Sequence, residues 1–328
     1  MDVKSWIRET LASRRPMPIL SFPSAQLLGC SVRELTHSAE LQARGIALVA
    51  SRTPAAAAVT MMDLSVEAEA FGCTLRVEED EVPTVVGTLL SDESDADALA
   101  VPPVGAARTG LYIEAARGAK ALVTDRPVLA GIIGPFSLAG RLMDVEEALV
   151  NCLADPDFVL ATLEKTCAFL VEYARAYKAA GLDGIVIAEP LSGLLSPALE
   201  EEFSAPFVRR IIEAVADDTF AVVYHNCGPN VTKMTASFAT LGATMYHFGD
   251  AVDIVEMLEQ MPAGCIVAGN VSPSEQFLGG TPASMTETVR TLRARTAGYA
   301  NYILSSGCDI PPKASWDNID AFFSAALA

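Results

Sequence analysis

The stretch Val222-Val-Tyr-His-Asn-Cys-Gly228 joins a short apolar run to a histidine and a cysteine. The β-branched and aromatic residues of this run predict a buried strand that opens into a loop at His225. Residues i and i+2 of an extended chain point to the same face, so the side chains of His225 and Cys227 can reach one common ligand. A second apolar run, at 302–304, leads to Cys308 near the far end of the chain. We therefore expect a fold that brings these two strand ends together.

Apolar runs of strand length alternate with helical stretches along the whole chain. The predicted strands are 16–23, 58–62, 128–133, 184–188, 220–224, 243–247, 265–268 and 302–304. The predicted helices include 2–13, 145–151, 156–180, 197–216 and 284–296. Continuously apolar strands suit a parallel sheet that helices cover on its outer face. The number of repeats is close to eight β/α units, the number in a TIM barrel.

We therefore predict an α/β fold in which residues 1–328 form one domain, a single (β/α)8 TIM-type barrel. Residues 1–57 would supply an N-terminal helical extension and the first strand, and residues 71–86 an inserted β-hairpin or loop. No Pro/Ser-rich linker divides the chain. In such a barrel the active site lies at the carboxyl ends of the strands.

Composition and charge narrow the class of protein. Hydrophobic residues make up 51% of the chain, enough to fill a large core. No apolar stretch is long enough to span a bilayer, and the first residues lack the apolar centre of a signal peptide, which predicts a cytoplasmic protein. The formal net charge of −18 repels phosphate backbones and anionic lipids, so we expect neither nucleic acid nor a membrane as partner.

Imidazole and thiolate together predict a zinc site. Zinc favours nitrogen and sulfur donors, and three protein ligands leave a fourth tetrahedral position for substrate or water. The seven cysteines form no close-spaced framework, which predicts free thiols. Cys227 and Cys308 stand out from the others by their motif-like surroundings. The competing interpretation is a small buried cysteine beside a hydrogen-bonded core histidine.

Other polar residues follow predicted strands and are candidates for the same face. Asp250 and Asn270 each follow a strand, and Asn270 would either bind substrate or a zinc ligand, or close a loop. His247 would be a hydrogen-bond partner behind the metal, a local acid or base, or a structural histidine. Glu189, before Pro190, is a candidate for the substrate pocket. Two further acidic residues would either line the mouth of the barrel or begin a solvated helix: Glu67 and Glu69.

With these residues, the chain resembles the uroporphyrinogen decarboxylase superfamily, and within it the methylcobamide:thiol methyltransferases that include the coenzyme M methyltransferases of methanogens. The motifs that carry the resemblance extend over nearly the whole chain: Asp63-Leu-Ser-Val-Glu-Ala-Glu-Ala-Phe-Gly72, Gly134-Pro-Phe-Ser-Leu-Ala139, Ala188-Glu-Pro190, His225-Asn-Cys-Gly228, Gly269-Asn-Val-Ser-Pro273 and Ser305-Ser-Gly-Cys-Asp-Ile-Pro-Pro312. The resemblance implies that His225, Cys227 and Cys308 bind zinc. It also implies an acidic fourth ligand, for which Asp250 is the nearest match and Gly249 the alternative aligned residue.

The implied activity is methyl transfer between a methyl-cobalt corrinoid and a thiol such as coenzyme M, with a zinc thiolate as nucleophile. A separate corrinoid carrier protein would deliver the methyl group, because the chain has no Asp-x-His-x-x-Gly cobalt-ligating run of its own. The sequence leaves several alternatives open. They are a decarboxylase of the uroporphyrinogen type, a methyl-donor:corrinoid demethylase, a tetrahydrofolate methyltransferase and a binding module without turnover. The N-terminal segment around Arg14 and Arg15 departs from the arginine-rich arrangement of the decarboxylases.

Overall fold

The apolar runs form strands that are buried along almost their whole length. The computed structural model describes all 328 residues. Its strands are β1 Ala58–Val59, β2 Thr74–Arg76, β3 Thr84–Val86, β4 Val128–Ile133, β5 Gly184–Ala188, β6 Ala221–Asn226, β7 Met245–Phe248, β8 Val267–Val271 and β9 Tyr302–Ser306. Seven of them pair in parallel in the order β1-β4-β5-β6-β7-β8-β9. The other two, β2 and β3, form the predicted antiparallel hairpin.

The segment 16–22 joins the two edges of this sheet. The Met17 amide donates to the Leu304 carbonyl at 2.9 Å, and the Ala56 amide donates to the Pro16 carbonyl at 2.9 Å. Prolines within and beside the segment remove backbone donors, so it does not form a regular ladder. It nevertheless takes the place of the eighth strand. The prediction of a TIM-type barrel with an N-terminal helical extension is confirmed.

Helices follow the strands and cover the outside of the barrel. They are α1 Val3–Ser13, α2 Ser24–Leu28, α3 Val32–Thr36, α4 Ala39–Arg52, α5 Val66–Phe71, α6 Glu93–Ala98, α7 Thr109–Leu122, α8 Pro135–Met143, α9 Val145–Ala154, α10 Pro156–Ala179, α11 Pro197–Phe203, α12 Ala205–Val215, α13 Thr235–Phe238, α14 Ile254–Gln260, α15 Pro282–Thr296 and α16 Trp316–Leu327. The prediction of one helix over 197–216 was wrong, because the chain leaves helical geometry at Ser204. None of these helices combines the length and apolar character that a bilayer-spanning segment requires.

The barrel separates two apolar clusters. The larger one lies between the sheet and the helices. The smaller one fills the barrel interior with alternate strand residues, among them Val223 and Met245. Helix α1 adds Trp6 to this interior cluster, and the Trp6 indole N–H donates to the Ala56 carbonyl at 3.0 Å.

Strand β6 is longer than its apolar run predicts. His225 and Asn226 belong to the strand and pair in register with His247 and Phe248 of β7. The prediction that the strand ends at Tyr224 was wrong. The ladder continues because the neighbouring strand supplies a polar partner for His225 inside the barrel. This extension sets the depth at which the imidazole lies.

Candidate metal centre

Three polar side chains form the uppermost layer of the barrel interior. His225 continues the inward alternation of Ala221 and Val223 on β6, and His247 and Ser305 occupy inward positions on β7 and β9. The Nδ1 atoms of the two histidines lie 2.8 Å apart, and His247 Nε2 lies 2.7 Å from the Ser305 hydroxyl. All three residues are buried. Burial and the neighbouring imidazole hold the pKa of His247 well below its usual range, so this ring is neutral.

A backbone carbonyl fixes the direction of this hydrogen-bond chain. The Ser305 hydroxyl lies 2.6 Å from the Met17 carbonyl oxygen, which can only accept. Since the hydroxyl donates there, His247 Nε2 donates to Ser305 and His247 Nδ1 accepts from His225. The network thus assigns the proton of His225 to Nδ1. His225 Nε2 is left with a free lone pair, and it is a buried atom without a hydrogen-bond partner.

Two thiols lie beside this lone pair. One donor atom each from His225, Cys227 and Cys308 falls within a group whose members are all within 4.8 Å of one another. Gly249 packs against Cys227, where a Cβ would collide with the cysteine backbone and Cβ. A hydrogen bond with Cys308 lowers the pKa of the Cys227 thiol, while that bond and burial raise the pKa of Cys308 to about 12.

The donor set fits zinc. Zn–N and Zn–S bonds of about 2.1 and 2.3 Å separate the donors of a tetrahedral site by roughly 3.5 to 3.8 Å. The three donor atoms here all lie within 4.8 Å of one another, which is compatible with such a site. Without a metal, the buried Nε2 of His225 has no hydrogen-bond partner, and an unsatisfied buried polar atom destabilises the fold. One nitrogen and two sulfurs would supply three ligands of a tetrahedral zinc site and would leave the fourth position for substrate or water.

Asp250 and Asn270 lie beside the cluster on its solvent side. Asp250 is exposed and packs against Gly307, and its carboxylate is not a member of the donor group. Asn270 donates its amide hydrogens to the carbonyls of Gly249 and Val252, at 2.9 and 2.7 Å. It therefore closes the loop that holds Gly249 against Cys227. This contact corresponds to the loop-closing interpretation of Asn270.

Glu189 lies at the end of β5 and binds the start of α8. Its carboxylate accepts from the amides of Phe136 and Ser137 at 3.0 and 2.6 Å, and from the Ser137 hydroxyl at 2.5 Å. Burial raises the pKa of Glu189 to about 7. Gly134 makes this contact possible, because a Cβ there would collide with the carboxylate. Glu189 fixes the position of α8 relative to β5.

Glu67 and Glu69 lie on the opposite side of the barrel, after β1. Glu67 is fully buried and accepts from the Ile133 amide at 3.0 Å, and burial raises its pKa to about 8. Glu69 pairs with Arg108 at 2.6 Å. The same guanidinium binds Asp63 at 2.6 Å. The structure does not bring either glutamate into contact with the His–Cys–Cys group.

Sequence reasoning assigned no role to Ser305, Met17 or Arg108. Ser305 had a weak signal, because it directly follows the apolar run 302–304 where the predicted strand ends. The Met17 carbonyl had none, since every residue has one. Arg108 joins Asp63 from a distant part of the chain, and only the fold makes them neighbours.

Comparisons with known proteins identify the family and the fold of the chain. A family model described as "Uroporphyrinogen decarboxylase (URO-D)" matches residues 12–328. A methylcobamide:CoM methyltransferase MtbA of Methanosarcina acetivorans is 27% identical over 252 residues, which cover 76% of this chain and 72% of the relative. A uroporphyrinogen decarboxylase of Dichelobacter nodosus is 28% identical over 286 residues, or 84% of this chain and 79% of the relative. A solved methyltransferase from Methanosarcina mazei superposes with a TM-score of 0.86 over 99% of this chain and 98% of its own, at 22% identity, and shows the same fold.

Proposed function

The chain belongs to the uroporphyrinogen decarboxylase family, and from this premise we propose that it is a zinc-dependent corrinoid methyltransferase. It moves a methyl group between a methyl-cobalt corrinoid and a thiol such as coenzyme M. The observation that carries the proposal is the free Nε2 lone pair of His225 beside the thiols of Cys227 and Cys308. The resemblance to methylcobamide:CoM methyltransferases supports the same reaction class.

Each residue of the centre has a distinct task. His225, Cys227 and Cys308 would hold the metal, and the hydrogen bonds of His247 and Ser305 keep the Nε2 lone pair of His225 free for it. A zinc ion bound there would supply Lewis acidity, which would lower the pKa of a substrate thiol so that the thiol reacts as its anion. Asn270 fixes the loop behind Cys227. The buried layer beneath the centre excludes water from that side.

The methyl transfer needs no nucleophile from the protein, because the substrate thiol itself attacks the methyl group. The thiol releases its proton to solvent, its sulfur forms a bond to the methyl carbon, and the cobalt–carbon bond breaks with its electron pair left on cobalt. Cobalt is thereby reduced from Co(III) to Co(I). A corrinoid is too large for an ordinary small-molecule pocket. We therefore propose that a separate corrinoid carrier protein presents it at the barrel mouth.

The test combines metal analysis with an assay of methyl transfer. Zinc is measured in the purified wild type, in Cys308→Ala and in the control Cys265→Ala, which alters a cysteine outside the donor group. All three proteins are then mixed with methylcobalamin and a panel of thiols. We expect about one zinc per chain in wild type and control, its loss in Cys308→Ala, and thiol-dependent demethylation that follows the zinc content. Absence of zinc from protein prepared without chelators would exclude the mechanism.

A second candidate is decarboxylation of a uroporphyrinogen. The description of the matching family model and the similarity to the Dichelobacter nodosus enzyme favour it. Anaerobic incubation with uroporphyrinogen, followed by chromatography of the oxidised porphyrins, distinguishes the two activities. Products with fewer carboxylates, formed equally by wild type and Cys308→Ala, would establish the decarboxylase in place of the methyltransferase. Thiol binding without turnover of either substrate would indicate a binding module.

A further inference from the structure

Asn226 is the last residue of β6 and separates the two candidate ligands His225 and Cys227. Alternation along the strand turns its side chain away from the barrel interior, where His225 points, and towards the outer layer that also holds Tyr224. Asn226 is fully buried there. A buried carboxamide destabilises the fold unless its donors and its acceptor find partners. The partners of Asn226 therefore show what holds this end of the strand in place.

The carboxamide oxygen of Asn226 shapes the backbone that carries Cys227. It accepts a hydrogen bond from the Gly228 amide, two residues further on, at 3.0 Å. This is an Asx turn, in which a side-chain oxygen takes the place of a backbone carbonyl. Cys227 is the residue enclosed by the turn, so the turn restricts the direction of its Cα–Cβ bond. The backbone carbonyl of Asn226 accepts from the Gly249 amide at 3.2 Å and connects the turn to the loop after β7.

The carboxamide nitrogen of Asn226 connects this turn to the strand end on the other side. It donates to the Ser192 hydroxyl at 2.9 Å and to the Tyr224 hydroxyl at 3.0 Å, so both N–H groups have acceptors. Ser192 lies in the 3₁₀ turn Pro190–Leu194 that follows β5. The Gly228 amide can only donate, and this fixes which end of the carboxamide faces it.

Two glycines allow the loops after β5 and β6 to touch. A Cβ at Gly193 would collide with Asn226 Oδ1 and with the Gly228 backbone, and a Cβ at Gly228 would collide with the Gly193 backbone. The Asn230 amide also donates to the Gly193 carbonyl at 3.0 Å. Because β5 and β7 flank β6 in the sheet, the loop that carries Cys227 is held from both sides.

We propose that Asn226 is a positioning residue of the candidate metal centre, which holds Cys227 in the place of a ligand before any metal binds. The inference rests on the metal centre of the proposed function and adds to it a residue that acts only through Cys227. Every hydrogen bond of the carboxamide is made to a protein group. The conformational entropy of the Cys227 loop is therefore lost during folding, and its loss does not weaken the binding of zinc.

The test measures metal affinity separately from stability. Zinc affinity of the full-length protein is determined by competition with a chromophoric chelator in wild type, Asn226→Leu and Asn318→Leu. Asn318 is the matched control, because it is a buried asparagine of α16 that donates to two backbone carbonyls and lies outside the donor group. We expect Asn226→Leu to bind zinc about 10- to 100-fold more weakly and Asn318→Leu to stay within about twofold of wild type, although both variants lose stability.

Asn226→Asp tests whether the turn itself is the cause. Its carboxylate can still accept from the Gly228 amide, and the hydroxyls of Ser192 and Tyr224 can rotate to donate to it. We expect this variant to bind zinc within about fivefold of wild type. Cobalt(II) in place of zinc reports the ligands directly. The thiolate-to-cobalt absorption should fall by about half in Asn226→Leu, since one of two thiolates is lost, and should be retained in Asn226→Asp.

Hydrogen exchange in the wild type keeps the inference testable if Asn226→Leu does not fold. The Gly228 amide of the metal-free protein should exchange slowly, because Asn226 accepts its hydrogen. Rapid exchange of this amide, or equal zinc affinity in wild type and Asn226→Leu, would overturn the inference, and methyl transfer by the wild type would leave the proposed function standing. Asn226-dependent zinc binding in a wild type that transfers methyl to no thiol would retain the inference and reject the proposed function.

Discussion

His225 and His247 face each other across β6 and β7 with their Nδ1 atoms 2.8 Å apart. Ser305 donates its hydroxyl hydrogen to the Met17 carbonyl, so His247 Nε2–H donates to Ser305. His247 Nδ1 must then accept, and the proton between the two rings is bonded to Nδ1 of His225. A backbone carbonyl at the entry to the barrel therefore decides which nitrogen of His225 is available to a metal. Three buried hydrogen bonds thus connect the N-terminal segment 16–22 to the candidate metal centre.

Replacement of His247 tests this orientation. His247→Phe removes the acceptor for His225 Nδ1–H and keeps a ring in the same space. We expect zinc affinity to fall about 10- to 100-fold, as on loss of other hydrogen bonds behind metal-binding histidines. Competition with a chromophoric chelator measures it, and His37→Phe, at an exposed histidine, is the control. Unchanged affinity in His247→Phe would mean that the His225 tautomer is fixed by other means.

Ser305→Ala should affect stability as well as zinc. The variant leaves His247 Nε2 and the Met17 carbonyl without their shared partner in a buried layer. We expect the free energy of unfolding to fall by about 1 to 3 kcal/mol, the usual cost of unsatisfied buried polar groups. Urea denaturation of the metal-free proteins isolates this effect, with Ser324→Ala, at an exposed position of α16, as control. Equal midpoints for the two variants would contradict it.

Gly249→Ala should displace a metal ligand without removing one. An added Cβ would overlap the Cβ and Cα of Cys227, so the backbone at Cys227 or at residue 249 must shift. We expect substoichiometric zinc and lower methyl transfer in a protein that still folds. Gly264→Ala is the matched control, because its Cβ would meet no atom within 4 Å. Full zinc occupancy in Gly249→Ala would show that the close approach of the two residues is dispensable.

Glu67 should make stability depend on pH. Burial raises the pKa of Glu67 to about 8, against an ordinary value of 4.5. Between these values the folded chain holds a proton that the unfolded chain has released. The free energy of unfolding therefore falls as pH rises through this window, by up to about 1.4 kcal/mol per pH unit from this group.

Glu67→Gln removes this dependence, since a glutamine amide does not titrate. We expect its stability relative to wild type to increase from pH 5 to pH 8, as measured by urea denaturation at several pH values. The exposed Glu114→Gln should show a constant difference from wild type over the same range. A constant difference for Glu67→Gln would mean that Glu67 is ionised in the folded protein throughout.

Much of the fold could be predicted from local patterns, and the errors have identifiable causes. The hairpin at 71–86 and the strands β4 and β5 lie where their apolar runs predicted them. β6 extends past its apolar run because His225 pairs with His247 on the neighbouring strand β7. Such a pairing depends on the neighbouring strand, which local sequence does not reveal. The same limit applies to the break between α11 and α12, where the helical pattern continues through Ser204.

The sequence by itself determined the parallel barrel and the chemical nature of the centre, because strand periodicity and the choice of imidazole and thiol are properties of single residues and their spacing. The tertiary structure alone decided which groups meet. It brings Cys308 to His225 and Cys227, leaves Asp250 outside the donor group, and uses Glu189 to hold α8. The physical reason is that hydrogen bonds and ion pairs act over a few ångströms between residues far apart in the chain, and only the closed barrel sets those distances.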